Sequence, residues 1–312
     1  MPPPRSVVQT GDDSPAGSVT GYVRRMTGVS QLWLCLLAAM VSAIGLVPID
    51  LQRRIIDGPI TDRSLDGLLM LSLIYLGVVL VHRLLKFGLA MGQAWLTESA
   101  VLYTRGHLTG IYGERSPQSR KSGEAVSIIN AEVERLGGFA GQAISQAVAN
   151  AAMLVGILIY MLWVAPEIAA LSIGLLLPQV LLVPLIQRRL NRLVERRVRM
   201  LRLFGEDLSG TAITDTGNRL RRIYRNRIQF AFWKTLMKGV LNTLNLLAPL
   251  GILLWGGYLV IEDAATVGVI VAFLSGFERM SNPLRELIAF YRQAAQAGVQ
   301  HDQIAKWMRA RD

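Results

Sequence analysis

The sequence is poor in the residues from which metal centres and disulfide frameworks are built. It has one cysteine, Cys35, and three histidines, His82, His107 and His301, in 312 residues. A single cysteine inside an apolar run excludes a disulfide framework and a cysteine-based metal site. The histidines lie far apart in sequence and lack the clustered spacing of a membrane di-metal enzyme. We therefore expect the chain to hold no metal.

Residues for nucleotide chemistry are missing as well. A phosphate-binding loop of the Gly-x-x-x-x-Gly-Lys-Ser/Thr type has a lysine directly after a glycine, and none of the five lysines follows a glycine. The nearest candidate for a catalytic pair is His301-Asp302 on a terminal amphipathic segment, where a solvated helix face is the alternative interpretation. We expect that the chain is not an enzyme and carries no cofactor of its own.

Apolar residues, in contrast, are abundant and fall in long blocks. They make up 52% of the sequence, and the mean hydropathy of +0.37 is too high for an ordinary soluble domain. The sequence predicts an all-α integral membrane protein whose six long transmembrane helices extend into the cytoplasm. The predicted spans are residues 31–51, 68–96, 139–163, 167–190, 241–261 and 267–287.

The ends of the chain differ from these blocks. The first 20 residues, rich in Pro, Gly, Ser and Asp, are predicted to be a disordered cytoplasmic tail. Residues 21–312 are predicted to form one transmembrane domain with no nucleotide-binding domain.

Basic charge is concentrated in one segment. The net charge is +11, and residues 188–238 hold about fourteen Lys/Arg against about four Asp/Glu. The basic segments flank apolar blocks and lack interleaved aromatic residues, so membrane topology explains the charge better than nucleic-acid binding does. The positive-inside rule then places both termini in the cytoplasm. This predicts a multi-pass plasma-membrane protein that contacts lipid and not nucleic acid.

The basic segment continues the helical pattern of the apolar block before it. A helix over residues 168–208 would run about 60 Å, about twice the hydrocarbon thickness of a membrane. Segment 230–253 returns the same way, after a polar turn near residues 214–218. The sequence therefore predicts a helical stalk that stands off the membrane on its cytoplasmic side.

Several residues within the apolar blocks are candidates for the lining of a substrate cavity. His82, Arg83 and Lys86 interrupt the second block, where the two basic side chains either reach the membrane interface or line a cavity. Aromatic residues of the later spans either pack between helices or contact an amphiphilic substrate. The aromatic candidates are Trp255, Phe273 and Phe277.

Two pairs of glycines have the spacing of close helix packing. Gly88 and Gly92 form one Gly-x-x-x-Gly pair, and Gly137 and Gly141 form another. Small residues four positions apart let a neighbouring helix backbone approach closely. Both pairs are therefore compatible with close helix packing, and chance occurrence of this common spacing is the alternative.

Seven short motifs, taken in order, resemble the transmembrane domain of an ABC exporter, the six-helix type whose two halves form a twelve-helix bundle. The resemblance covers about residues 22–308. The motifs are Ile56-Asp57-Gly58-Pro59-Ile60, Arg105 with Leu108, Ser122-Gly123-Glu124-Ala125-Val126-Ser127, Glu206-Asp207-Leu208-Ser209-Gly210, Trp255-Gly256-Gly257-Tyr258-Leu259-Val260, Thr266-Val267-Gly268-Val269-Ile270-Val271-Ala272-Phe273 and Pro283-Leu284-Arg285-Glu286-Leu287.

The resemblance implies a permease subunit that moves a substrate across the bacterial inner membrane by alternating access, as a homodimer or heterodimer of two membrane halves. It also implies a separate ABC ATP-binding subunit that binds ATP and Mg²⁺, because the family continues past its sixth helix into an ATPase domain. Two cytoplasmic segments would couple to that subunit, and a hinge is expected at Pro283. The coupling residues are Ser122, Gly123, Glu124, Gly210, Asp215, Thr216, Gly217, Asn218 and Arg222.

Departures from the family pattern leave other interpretations open. The first cytoplasmic loop has Ala131-Glu132-Val133 where the family often has Asn-Asp-Val, and Thr214-Asp215-Thr216-Gly217 replaces the usual Val-Lys-Ala-Phe of the second loop. The alternatives are a motorless membrane protein with a binding or regulatory role, derived from an exporter, and a truncated half of a longer transporter.

Overall fold

The computed structural model describes residues 3–5, 7, 17–114, 123–209 and 216–309, and within these ranges it contains no strand. In the described ranges, three short π-helical turns, Ile56–Ile60, Ile128–Glu132 and Phe139–Ala143, adjoin the α-helices. The predicted all-α fold class is confirmed. The α-helices are α1 (Val19–Ile44), α2 (Val47–Ile55), α3 (Leu65–Glu114), α4 (Gly123–Ser127), α5 (Val133–Gly138), α6 (Ile144–Val164), α7 (Pro166–Ser209), α8 (Thr216–Ile261) and α9 (Val267–Arg309).

Among the residues that the structure describes, five helical stretches are long and apolar enough to cross a membrane, which makes this a multi-pass membrane protein. The sixth predicted span lies on α9, which carries four charged residues between positions 278 and 286 and is less apolar for that reason. The six-span topology and the span bounds stay predictions. The five stretches are Val19–Ile60, Leu65–Gly113, Ala125–Val164, Pro166–Leu201 and Gly217–Ile261.

The chain divides into two compact units, and the first comprises Met1–Tyr160 with Arg279–Asp312. Its core joins α1, α3, α5 and the end of α9 through side chains such as Val101, Leu136 and Trp307, all at most 7% exposed. These apolar contacts hold together ends of helices that are far apart in sequence.

Part of the segment predicted to be a disordered tail, residues 1–20, makes contacts in this unit. Helix α1 already begins at Val19. The backbone N–H of Arg5 donates a hydrogen bond to Ser99 Oγ at 3.1 Å, and its guanidinium donates one to the carbonyl of Met26. The described part of the tail therefore lies against α1 and α3, while disorder of the remainder stays a prediction.

Helix α1 contains a break at Gly28. Its φ of 48° and ψ of −137° lie outside the helical region, and the positive φ favours glycine because no Cβ clashes there. The guanidinium of Arg5 occupies the space that a side chain at this position would need. Gly28 thus permits both the break and the contact with the chain terminus.

A second break separates α1 from α2 at Gly45 and Leu46. Helix ends leave backbone carbonyls without helical partners, and Arg279 of α9 donates a hydrogen bond to one of them, Gly45 O, at 3.0 Å. His82 also approaches this point, with its Nε2 3.2 Å from where a Cβ on Gly45 would stand. The cationic side chain of Arg279 thus has a backbone carbonyl as its hydrogen-bond acceptor.

The second unit, Met161–Glu278, is built on the pair α7 and α8. Helix α7 runs unbroken for 44 residues and α8 for 46, which correspond to about 66 and 69 Å. Along the pair, Gln179 donates a hydrogen bond to Asn245 at 3.0 Å, and the guanidinium of Arg189 lies 5.9 Å from the ring centre of Trp233. The two predicted long helices are confirmed. Of the turn predicted near residues 214–218, residues 214 and 215 lie outside the described residues, and residues 216–218 are already helical at the start of α8.

Candidate functional site

A polar cavity of about 360 Å³ opens in the first unit between the helical segment of residues 135–150 and helix α9. We call it the amide groove, because amide side chains dominate its walls. Arg135 and Glu286 add one basic and one acidic group, and Phe139 and Phe290 stack at 6.0 Å between ring centres. The six amides are those of Gln142, Gln146, Asn150, Gln293, Gln296 and Gln300.

Helical spacing explains why these amides converge. On the first wall, Gln142, Gln146 and Asn150 follow one another at intervals of four residues, so they share one face of the helix. On the facing wall of α9, the amides recur at positions 293, 296 and 300, which is again one face. Two polar stripes therefore meet across the groove.

The amides of the groove are not paired with one another. In the part of the chain that the structure describes, none of the six side-chain amides, nor the carboxylate of Glu286, takes part in a hydrogen bond or an ion pair. Gln146 and Asn150 nevertheless lie within Ala125–Val164, one of the helices apolar enough to cross a membrane. Exposing an amide to hydrocarbon costs roughly 2–7 kcal/mol, so such groups face protein or water. The groove is chemically suited to a polar occupant.

The residues predicted to line the substrate cavity lie elsewhere, and none of them belongs to the amide groove. His82, Arg83 and Lys86 are on α3, where His82 is half-buried and the two basic side chains, Arg83 and Lys86, are exposed. Their role in substrate contact stays a prediction.

The three aromatic candidates have contrasting environments. Trp255 on α8 is 45% exposed and lies 5.7 Å from the Tyr258 ring centre. Phe273 and Phe277 on α9 are 0% and 2% exposed. Burial this complete inside one chain is typical of packing side chains, the alternative interpretation of these residues. Substrate contact by the three aromatics stays a prediction.

Charge and aromatic patterns in the sequence do not point to the amide groove. The signal that does is the spacing of glutamine and asparagine at helical intervals on two separate segments. Each stripe alone is compatible with a solvated helix face. The two stripes form one site only because residues 142–150 and α9 lie close together in the folded chain.

Of the nine predicted coupling residues, Ser122, Gly210 and Asp215 lie outside the described residues. Gly123 and Glu124 begin α4, and Thr216 begins α8. The remaining three, Gly217, Asn218 and Arg222, are exposed residues on the first two turns of α8. Their coupling role stays a prediction.

The predicted hinge, Pro283, is a buried residue inside α9, which continues as a helix through it. Its role as a hinge stays a prediction.

The sequence matches the family described as "ABC transporter transmembrane region" over residues 32–211 and 198–284, which together span well over half of the chain. A segment of 61 residues is 43% identical to the "Putative multidrug export ATP-binding/permease protein YgaD" of Bacillus subtilis (strain 168). That segment covers 20% of this chain and 10% of the Bacillus protein, so the similarity spans about a tenth of the length of that relative.

Proposed function

Because the chain belongs to the ABC transporter transmembrane region family, we propose that it is the permease subunit of an ABC exporter. It moves a substrate across the membrane by alternating access, driven by ATP hydrolysis on a separate subunit or domain. The observation that carries this proposal is the pair of continuous helices α7 and α8. Each is about twice as long as the hydrocarbon core of a membrane is thick. Helices of this length connect membrane spans with a site well outside the lipid.

The basic charge of the same pair supports its orientation. Residues 188–238 carry most of the chain's excess of positive charge, and such segments stay on the cytoplasmic side of a bacterial inner membrane. Both termini lie on that side in this arrangement. The start of α8 then meets a cytoplasmic ATP-binding subunit, which holds ATP and Mg²⁺, while a second membrane half, identical or related, completes the transport cavity.

Purification of the chain from its own cells in mild detergent tests this function. We expect an ABC ATP-binding protein to be recovered in stoichiometric amount, and the complex in vesicles to accumulate substrate only with ATP and Mg²⁺. Mass spectrometry of the purified sample measures the first result, and vesicle uptake measures the second. Recovery of the chain without any ATP-binding protein would contradict the proposal and support a motorless regulatory protein.

We assign substrate contact within this function to the amide groove. Replacing Gln296 by leucine keeps the side-chain volume but removes both hydrogen-bonding groups. Substrate-stimulated transport should therefore fall about fivefold to tenfold, which corresponds to the free energy of about one hydrogen bond. The measurement is kcat/KM for transport in vesicles, alongside the basal ATPase rate, which should not change.

Gln303 provides a matched control for this substitution. It is an exposed glutamine on the same helix, two turns beyond Gln296, and it does not line the groove. Gln303→Leu should transport normally. Equal transport by Gln296→Leu and Gln303→Leu would remove the groove from the substrate path, with the permease function itself unaffected.

A further inference from the structure

A second cavity, of about 580 Å³, lies between α7 and α8 in the second unit. Arg196 and Arg199 reach it from α7, and Arg222 and Arg225 reach it from α8. Each pair is three residues apart, so both guanidiniums of a pair project from the same side of their helix. We call this the arginine cavity.

No carboxylate of the described residues neutralises the charges of the arginine cavity. Within the described residues none of the four arginines forms an ion pair, and Glu195, next to Arg196 in sequence, does not line the cavity. Four guanidiniums gathered around one space repel one another and create a local positive potential. An anion bound among them would relieve that repulsion.

Asn226 adds a second, independent observation. This side chain lines the same cavity and is only 7% exposed, and its Oδ1 atom is buried without a hydrogen-bond partner. Buried amides are normally satisfied. A ligand that offers a hydroxyl donor to Oδ1 and anionic oxygens to the neighbouring guanidiniums would satisfy both features at once.

The position of the cavity along the helices restricts where such a ligand comes from. Arg189 and Trp233 pair through a cation–π contact of the kind that tryptophan makes at a membrane interface. Arg196 follows Arg189 by seven residues, about 10 Å along α7. The headgroup layer on each side of a membrane is about 5–8 Å thick. With the membrane interface at the Arg189–Trp233 pair, the cavity would lie at the outer edge of the headgroup layer, within reach of both lipid phosphates and soluble phosphates.

We propose that the arginine cavity is a binding site for a phosphate-bearing ligand that also carries a hydroxyl group. Guanidinium groups bind phosphate oxygens through paired hydrogen bonds, which makes arginine the side chain best suited to this anion. Two sources offer the chemistry: an anionic phospholipid such as phosphatidylglycerol, and a soluble phosphate compound. The site requires neither ATP nor a second subunit.

The full chain, purified in detergent, is the sample for the test, and binding is measured by calorimetric titration. One probe is dihexanoyl phosphatidylglycerol, with dihexanoyl phosphatidylcholine as the zwitterionic comparison, and the other probe is inorganic pyrophosphate. We expect saturable binding of one of the two anionic probes, and at least tenfold weaker binding by the double variant Arg196→Gln with Arg199→Gln. This variant leaves the predicted coupling residue Arg222 intact.

A matched control separates a site from general charge. Arg192 and Arg197 are exposed on the same helix and do not line the cavity, so Arg192→Gln with Arg197→Gln removes the same charge. The control should bind like the unmodified chain. Asn226→Leu should weaken binding of the hydroxylated lipid, while its helical circular dichroism matches that of the unmodified chain.

The outcomes are distinct. Binding of phosphatidylglycerol alone identifies a lipid site, and binding of pyrophosphate identifies a soluble phosphate site. Equal weakening in the cavity and control variants, or no saturable binding of either probe, overturns the proposal. Because no ATP-binding subunit is present in the titration, neither result bears on the transport function.

Discussion

Gly141→Ala should destabilise the protein by about 3 kcal/mol, because one methyl group there collides with the backbone of a neighbouring helix. A Cβ at Gly141 would stand 2.6 Å from the Cα atom of Thr97 on α3, and closer still to its amide nitrogen. Backbone atoms cannot move aside as the end of a flexible side chain can. The helices must separate or the side chain cannot be accommodated.

Gly138→Ala is the control for this substitution, because nothing lies within 4 Å of a Cβ at Gly138. Alanine is favoured over glycine inside a helix by about 1 kcal/mol, so this variant should be as stable as the unmodified chain or more so. Thermal unfolding in detergent, followed by the fluorescence of buried tryptophan, measures both. Similar unfolding temperatures for the two variants would show that α3 and the Phe139–Ala143 turn do not pack as closely as described.

Gly217→Trp should abolish productive coupling to the ATP-binding subunit and leave the membrane chain itself intact. Gly217 is exposed near the start of α8, and a Cβ there meets nothing within 4 Å. A bulky side chain therefore costs the isolated chain little, whereas it would obstruct a partner that docks on this end of the helix. We expect at least a tenfold loss of ATP-driven transport, which corresponds to about 1.4 kcal/mol of coupling free energy.

Gly239→Trp makes the same change further along α8, again where nothing lies within 4 Å. Transport and ATPase rates of the reconstituted complex, measured together, distinguish the two variants. If Gly217→Trp transports as well as Gly239→Trp, then the start of α8 is not a coupling surface, and the assignment of the neighbouring coupling residues fails with it.

The glycine pairs show how far spacing predicts packing. Gly137 and Gly141 both lie in close contact with α3, at Val101 and Thr97, as their Gly-x-x-x-Gly spacing predicts. Of the other pair, Gly92 approaches Leu34, but Gly88 has no neighbour within 4 Å. Spacing specifies a shared helix face, whereas the presence of a second helix on that face depends on tertiary structure.

The helices themselves follow from local sequence, and so they were predictable. Apolar blocks with helical periodicity predict long α-helices. The length of α7 is predicted because the same periodicity continues from its apolar block into the basic segment that follows. The family resemblance built on the seven motifs is confirmed by the family match. The break at Gly28 was not predicted, because its backbone conformation is stabilised by Arg5, which lies 23 residues earlier.

The candidate site was harder to predict than the fold. The two walls of the amide groove are separated by more than 130 residues, so no local pattern joins Asn150 to Gln293. The sequence left Phe273 and Phe277 open between substrate contact and packing between helices, and the structure shows both as buried side chains within the chain. Similar residues at helical spacing identify one face of a helix. Whether that face contacts lipid, another helix or substrate depends on what lies opposite it in the folded protein.

Continuous helices of this length act as levers. Turning α7, about 66 Å long, by about 5° about its outer end displaces its far end by about 6 Å, slightly more than the rise of one helical turn. Side-chain packing between helices changes in steps of about this size. In the proposed permease, a tilt too small to open a gap among the membrane spans would therefore be enough, at the distal end, to exchange one set of contacts with the ATP-binding subunit for the next.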